Sequence, residues 1–393
     1  MNHTSLSMTL FAAAAVLLAS CTQEAPKKTS PPAVEPMVIG MLAPLTGAGA
    51  RFGESQQEGV ELAMDEINAK GGIGGRTFTL EVEDTKTEPP TAVTAFTRLT
   101  QRADILAYFG SAASLDVPAY LPQVDAAAIP HLLPVAVLPS ITEAGSHWTF
   151  RSALNDRIAA TKMAGFVVNQ LHAKRIGLLI EDSAFGKTGE IFAQEAERLG
   201  VKPLDEQLFK RGDQDLRTQL TTLKSKGVEY VQFWGYYAEY ALAAKQMRDI
   251  GFTAQLLGNQ APVNLKTIEL GGDAVEGAMN VCLFVPTSSR PGAKEFLEAF
   301  RARYHADPDT WAAQSYDGMR ILADAVKRGG ATREGIRDAL AGLHDFEGIT
   351  GTISFSSNGD ADFKDTSIVR VEHGAFVPYQ SETSAGAPSS PGQ

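Results

Sequence analysis

Apolar residues recur along this chain in two alternating styles, and the alternation predicts its architecture. Met37–Leu42 (MVIGML) is a continuous apolar run of the kind that forms a buried parallel strand, and further strands are expected at Ile105–Phe109 and Ala128–Leu133. Thr77–Glu83 (TFTLEVE) alternates strictly, with Phe78, Leu80 and Val82 on one face, as a half-buried strand does. Helix-length segments lie between them. The segment from about Glu54 to Lys70 carries Val60, Ala63, Met64 and Ile67 at helical spacing, and Gly71-Gly72 ends it. Another helix is expected around Thr91–Arg102. The pattern restarts with a strand at Arg175–Glu181 and a helix at Gly186–Leu199, where Phe192, Ala196 and Leu199 share a face. Leu216, Leu220 and Leu223 mark a further helix, followed by a strand at Glu229–Trp234, a helix at Tyr237–Ile250 and a strand at Ala254–Leu257. A strand at Ala278–Val285, helices at Ala293–Tyr304, Asp309–Lys327 and Thr332–Ala341, and a β-rich end at Gly348–Pro378 complete the body. Strands separated by helix-length segments imply parallel sheets with helices on both faces. Two such runs predict an α/β protein of two doubly wound, Rossmann-like lobes, each with enough chain for its own core.

The first 36 residues follow neither pattern. Leu10–Ala19 (LFAAAAVLLA) is unbroken and apolar but too short to span a membrane. It fits the h-region of a signal peptide over residues 1–20. Leu18-Ala19-Ser20-Cys21 resembles a bacterial lipobox, which implies lipidation of Cys21, although the preceding MNHTSLSMT has no Lys or Arg. Residues 21–36 are polar and Pro-rich and read as a tether; 381–393 (SETSAGAPSSPGQ) have the composition of disorder.

Charge and cysteine count narrow the chemistry. With 35 Lys and Arg against 46 Asp and Glu, the net charge of -11 argues against nucleic-acid binding. Two cysteines, Cys21 and Cys282, supply no disulfide framework, and Cys282 lies inside an apolar strand, as a core residue does. Gly47, Gly49 and Gly53 are spaced G-x-G-x-x-x-G, which is not the dinucleotide fingerprint. The seven histidines are dispersed, and neither a P-loop ending nor a G-x-S-x-G elbow is present. The expectation is a protein that is not an enzyme and needs no cofactor or metal.

Several local motifs, taken in order, resemble a known family. They are Val38–Gly47 (VIGMLAPLTG) with Arg51-Phe52-Gly53, then Gly59–Gly74, and Phe109-Gly110-Ser111 with Ser114. Phe150-Arg151, Glu181–Gly186 (EDSAFG), Gly235-Tyr236-Tyr237, Ala313–Asp317 (AQSYD) and Phe346–Phe355 with Gly359-Asp360 follow. Together they are similar to leucine/isoleucine/valine-type substrate-binding proteins of ABC transporters, the type I periplasmic binding proteins. The resemblance implies two lobes joined by three hinge crossings, near Arg151–Asp156, Cys282–Pro286 and Gly348–Gly351. It gives one lobe from 37–153 with 286–349 and another from 154–285 with 350–380. It also implies a monomer, lipid-anchored in the periplasm or at the cell surface, that closes on a small ligand and delivers it to a membrane permease. A ligand sensor of the same fold, without transport, is the alternative.

The same resemblance names ligand-binding positions. Ser114 matches the serine that holds a ligand carboxylate. Ala136 and Val137 stand in a strand-end stretch where the family has a threonine hydroxyl. Phe52, Phe185 and Tyr236 match pocket aromatics, Gln260 matches the acid that meets the ligand ammonium, and Tyr316 is a further aromatic candidate, as is Trp234. Gln260 is neutral and Val137 accepts nothing, whereas a buried ammonium needs an anionic partner or good acceptors. The expected ligand is therefore a carboxylate or amide without an α-ammonium, unless Asp116 or Glu239 supplies the charge.

Overall fold

The computed structural model describes residues 35–363 and 366–379, and the fold is built from two large sheets. The first sheet is wholly parallel, in the order Phe78–Asp84, Met37–Ala43, Ile105–Phe109, His131–Leu133, Thr149–Arg151. Met37–Ala43 sits inside it and is buried along its whole length, which explains its unbroken apolar sequence. Phe78–Asp84 is an edge strand and keeps the alternation read from the sequence.

The second sheet runs Ala375–Pro378, Ser367–Glu372, Met279–Cys282, Gln255–Gly258, Tyr230–Trp234, Ile176–Glu181, Asp205–Phe209. Its first two strands join antiparallel and the rest pair parallel. A small antiparallel sheet of Phe346–Glu347, Thr352–Phe355 and Ala361–Phe363 lies against the end of the first sheet, where Phe355 meets Phe150 at 5.5 Å.

The chain leaves the first sheet after Arg151 and enters the second at Ile176. After Cys282 it returns to lay the helices Ala293–Tyr304 and Thr310–Gly329 on the first half, and it rejoins the second sheet at Ser367. Helix Thr310–Gly329 packs along helix Ala50–Ala69 closely enough that a Cβ at Gly59 would stand 2.1 Å from the Ala312 carbonyl oxygen. Only glycine permits that approach.

Several elements differ from the sequence expectation. The first helix begins at Ala50, not Glu54, so Phe52 lies on it. The helix expected from Gly186 opens as a 3-10 turn, Gly186–Thr188, and becomes α-helical over Gly189–Arg198. Strand Thr149–Arg151, helix Val117–Ala127, helix Asp156–Gly165 and strand Asp205–Phe209 carried no readable period.

Candidate functional site

The carboxyl ends of strands from both sheets face one another, as expected for ligand sites in open α/β folds. From the first half, Ala112 and Ser114 follow Ile105–Phe109, and Val135 and Val137 follow His131–Leu133. Phe52 comes from helix Ala50–Ala69 and Trp311 from the first turn of Thr310–Gly329. From the second half come Phe185, Tyr236 and Ala261, each just beyond a strand. These nine residues line one hollow whose free space is ≈ 20 Å³, about one water-sized sphere.

The rings fill it by edge-to-face contact. Phe52 meets Tyr236 at 5.0 Å and 87°, Tyr237 at 5.3 Å and 79°, and Trp311 at 5.6 Å and 73°. Phe185 meets Tyr236 at 5.3 Å and 71°. Such pairs contribute roughly 0.5–1.5 kcal/mol each beyond the area they bury. The Tyr237 hydroxyl donates to the Ala48 carbonyl at 3.1 Å. The two halves thus touch directly here, and a ligand of any size must part them.

Local bonds hold these side chains in place. Asp309 caps helix Thr310–Gly329 by accepting from the Trp311 and Ala312 amides at 3.1 and 2.9 Å. Its other oxygen accepts from Arg51 Nε at 3.1 Å and Ser55 Oγ at 2.7 Å, both on the helix that carries Phe52. The Ser114 hydroxyl accepts from the Val137 amide at 3.0 Å, which leaves its proton free to point elsewhere.

Charge stands behind the rings. The Arg211 guanidinium lies 3.9 Å from the centroid of Tyr236 and pairs with Glu181 at 2.7 and 3.3 Å. Asp116 is fully buried; its Oδ2 accepts from Ser111 Oγ at 2.8 Å and its Oδ1 has no partner among the described residues. Burial raises its pKa to about 6, against the opposing pull of hydrogen bonds and the Arg211 charge. Burial likewise raises Glu239, whose Oε1 accepts from the Gly212 amide at 2.8 Å.

Of the residues proposed from sequence, Phe52, Ser114, Val137, Phe185 and Tyr236 line the hollow together. Ala136 does not: it is buried in the apolar cluster of Leu133, Leu138 and Ile141. Gln260 lies next to the lining residue Ala261, fully buried, donating Nε2 to the Leu154 carbonyl at 2.7 Å. Its Oε1 has no partner among the described residues. Tyr316 is a correction. Its ring packs on Phe296 at 4.8 Å and its hydroxyl donates to Glu66 at 2.7 Å, outside the hollow. Trp234 is another: its Nε1 donates to Asp156 at 3.2 Å in the interior. Cys282 is buried, with its thiol pushed up to about 12 by that burial, and Cys21 lies outside the described residues.

The sequence reading missed Trp311, Arg211, Ala112, Val135 and Ala261. Their one available signal was position, just past a strand end or at a helix start. Among the described residues no group of three His, Cys, Asp or Glu could hold a metal. A larger apolar hollow, ≈ 280 Å³, lies between Val263–Ile268, Phe284–Thr287 and Phe376. None of the residues proposed from sequence lines it, whereas five of them line the smaller hollow, so the smaller one is the candidate site.

A family model described as periplasmic binding protein matches residues 36–375. The chain belongs to that family. It is 28% identical to the Leu/Ile/Val-binding protein homolog 3 of Brucella melitensis, over 87% of this chain and 93% of that one. Its fold superposes on a leucine-binding protein of Thermotoga maritima with a TM-score of 0.82 at 29% identity, covering 88% of this chain and 98% of the other. A branched-chain amino acid transporter substrate-binding protein of Streptococcus pneumoniae, solved with isoleucine, gives 0.81 at 28%, covering 87% and 97%. No helix among the described residues is long and apolar enough to cross a membrane.

Proposed function

We propose that this chain is the extracytoplasmic solute-binding component of an ABC importer. Its two lobes, 37–153 with 286–349 and 154–285 with 350–380, close by a hinge motion on a small carboxylate that has an apolar body and no α-ammonium. The observation that carries the ligand class is the lining itself. Four aromatic residues, one of them Tyr236 with its own hydroxyl, four aliphatic residues and Ser114 line the space, and no charged side chain is among them. A carboxylate can be held by neutral donors, whereas an ammonium buried there would lack an anion. The neutral Gln260, at the position where the family resemblance expects an acid, supports the same reading.

An amino acid is the second reading. The free oxygens of Gln260 and Asp116 favour it, as do relatives named for leucine, isoleucine and valine. The reading also includes a monomer that delivers to a membrane permease and is held to a bacterial membrane by lipid on Cys21. The sequence Leu18-Ala19-Ser20-Cys21 supports the anchor, and C21S would then release the protein from the membrane fraction.

A thermal-shift screen of leucine, benzoate and aliphatic acids, with mass spectrometry of any co-purified ligand, tests the ligand class. At a hundredfold excess over Kd a ligand adds about 2.7 kcal/mol, a shift of several degrees. Stabilisation by acids lacking the ammonium is expected. Stabilisation by leucine alone would overturn the ligand class while leaving the transport role standing.

A further inference from the structure

Buried indole N–H groups in folded proteins nearly always donate a hydrogen bond, because an orphaned donor forfeits its solvation. Trp311 breaks that rule. Its side chain is 2% exposed and lines the hollow, and its Nε1 has no partner among the described residues. Trp234 shows the ordinary case, donating to Asp156 at 3.2 Å. Trp311 is not loosely placed, since Asp309 fixes the start of its helix and Phe52 flanks its ring at 5.6 Å. The Ser114 hydroxyl lines the same space with its acceptor side occupied by the Val137 amide and its proton uncommitted. Two unused neutral donors therefore line one space, whose remaining polar side chain is Tyr236.

We propose that Trp311 is a specificity-determining residue, donating its indole N–H, together with the Ser114 hydroxyl, to an acceptor oxygen of the bound ligand. This rests on the reading of the chain as a solute-binding protein with its site among these rings. The ligand's oxygen-bearing group then lies on the first-half side of the cleft, and its carbon body lies against Phe185 and Tyr236. Neutral donors accept a carboxylate or an uncharged carbonyl, with the stronger bond to the carboxylate. The site selects for an acceptor group, and a ligand that offers only donors there is rejected, because it would leave both protein donors unpaired.

The test uses the mature protein with benzoate, 4-methyl-2-oxopentanoate and leucine as probes, by isothermal titration. W311F keeps an aromatic ring and removes the N–H. It is expected to weaken binding of whichever carboxylate probe the wild type binds by roughly ten- to a hundredfold. The amide of the same skeleton should lose less. In the wild type, the indole N–H resonance of Trp311 should move downfield on adding the carboxylate, while that of Trp234 stays; this readout survives even if W311F folds poorly. A bound probe with an unmoved Trp311 resonance, or equal affinity in a folded W311F, overturns the inference and leaves the proposed function intact. If no probe binds the wild type, the proposed ligand class and this inference fall together.

Discussion

Arg151 and the aromatic hollow both sit where the two halves of the molecule join, and they treat buried polar atoms in opposite ways. Arg151 is fully buried, yet all three of its guanidinium nitrogens are used: Nε on Asp360 at 2.6 Å, Nη1 on the Leu138 carbonyl at 2.6 Å, and Nη2 on Thr142 at 2.7 Å. The second Asp360 oxygen accepts from Asn155 and Thr142, each at 2.8 Å. This knot ties the first crossing to the small sheet of the third. Around the hollow, Trp311 Nε1, Gln260 Oε1 and Asp116 Oδ1 have no partners among the described residues. A satisfied network favours one fixed geometry, whereas unsatisfied buried groups lower stability unless another molecule completes them. On the proposed function, the knot serves the fold and the open groups around the hollow await a ligand.

The knot should give the largest response. Asp360→Ala leaves the Arg151 charge buried without its anion and is expected to cost about 3–5 kcal/mol in urea unfolding. A cost below about 1 kcal/mol would erase the contrast.

Asp156, at the start of the helix after the first crossing, sharpens it through pH. The residue is wholly buried, and that burial raises its pKa to about 7 despite bonds from Thr188 and Trp234. A carboxyl group raised in the folded state is most favourable when protonated. Its contribution is therefore fully present below the ordinary value near 4 and is lost as pH rises through about 7. Unfolding measurements should show stability falling across that window by up to about 1.4 kcal/mol per pH unit from this group. Asp156→Asn should flatten the slope.

On the ligand side, Ser114→Ala should change stability by less than about 1 kcal/mol while weakening carboxylate binding roughly tenfold or more. The smallest effect belongs to Tyr316→Phe. It removes one bond to Glu66, costs about 1 kcal/mol or less, and should leave ligand affinity unchanged. Weakened binding in that variant would return Tyr316 to the site.

That last pair shows how far sequence reading reaches. The strand–helix alternation was legible because the central strands are buried on both faces and the long helices carry a clear stripe. Helix Val117–Ala127 was hidden by Pro118 and Pro122, and strand Thr149–Arg151 by its brevity and its buried arginine. In the hollow, the family motifs pointed to Phe52, Ser114, Val137, Phe185 and Tyr236, but not to Ala112, Val135 and Ala261, whose small side chains past strand ends carry no motif of their own. Sequence reading failed on helix Thr310–Gly329. Trp311 and Tyr316 lie five positions apart there, about 140° around the axis, so only one of them can face the cleft. The sequence reading picked Tyr316, and nothing in the spacing pointed to Trp311 instead. Arg211 was equally hidden, since its role comes from Tyr236 and Glu181, far off in sequence.

The claim that the ligand lacks an α-ammonium is tested most directly by titrating the protein with leucine and with 4-methyl-2-oxopentanoate. The two share a carbon skeleton and a carboxylate and differ at the amino-bearing carbon. The account predicts tighter binding of the oxo acid by tenfold or more. Tighter binding of leucine would contradict it and would assign the ammonium to the free oxygens of Gln260 and Asp116.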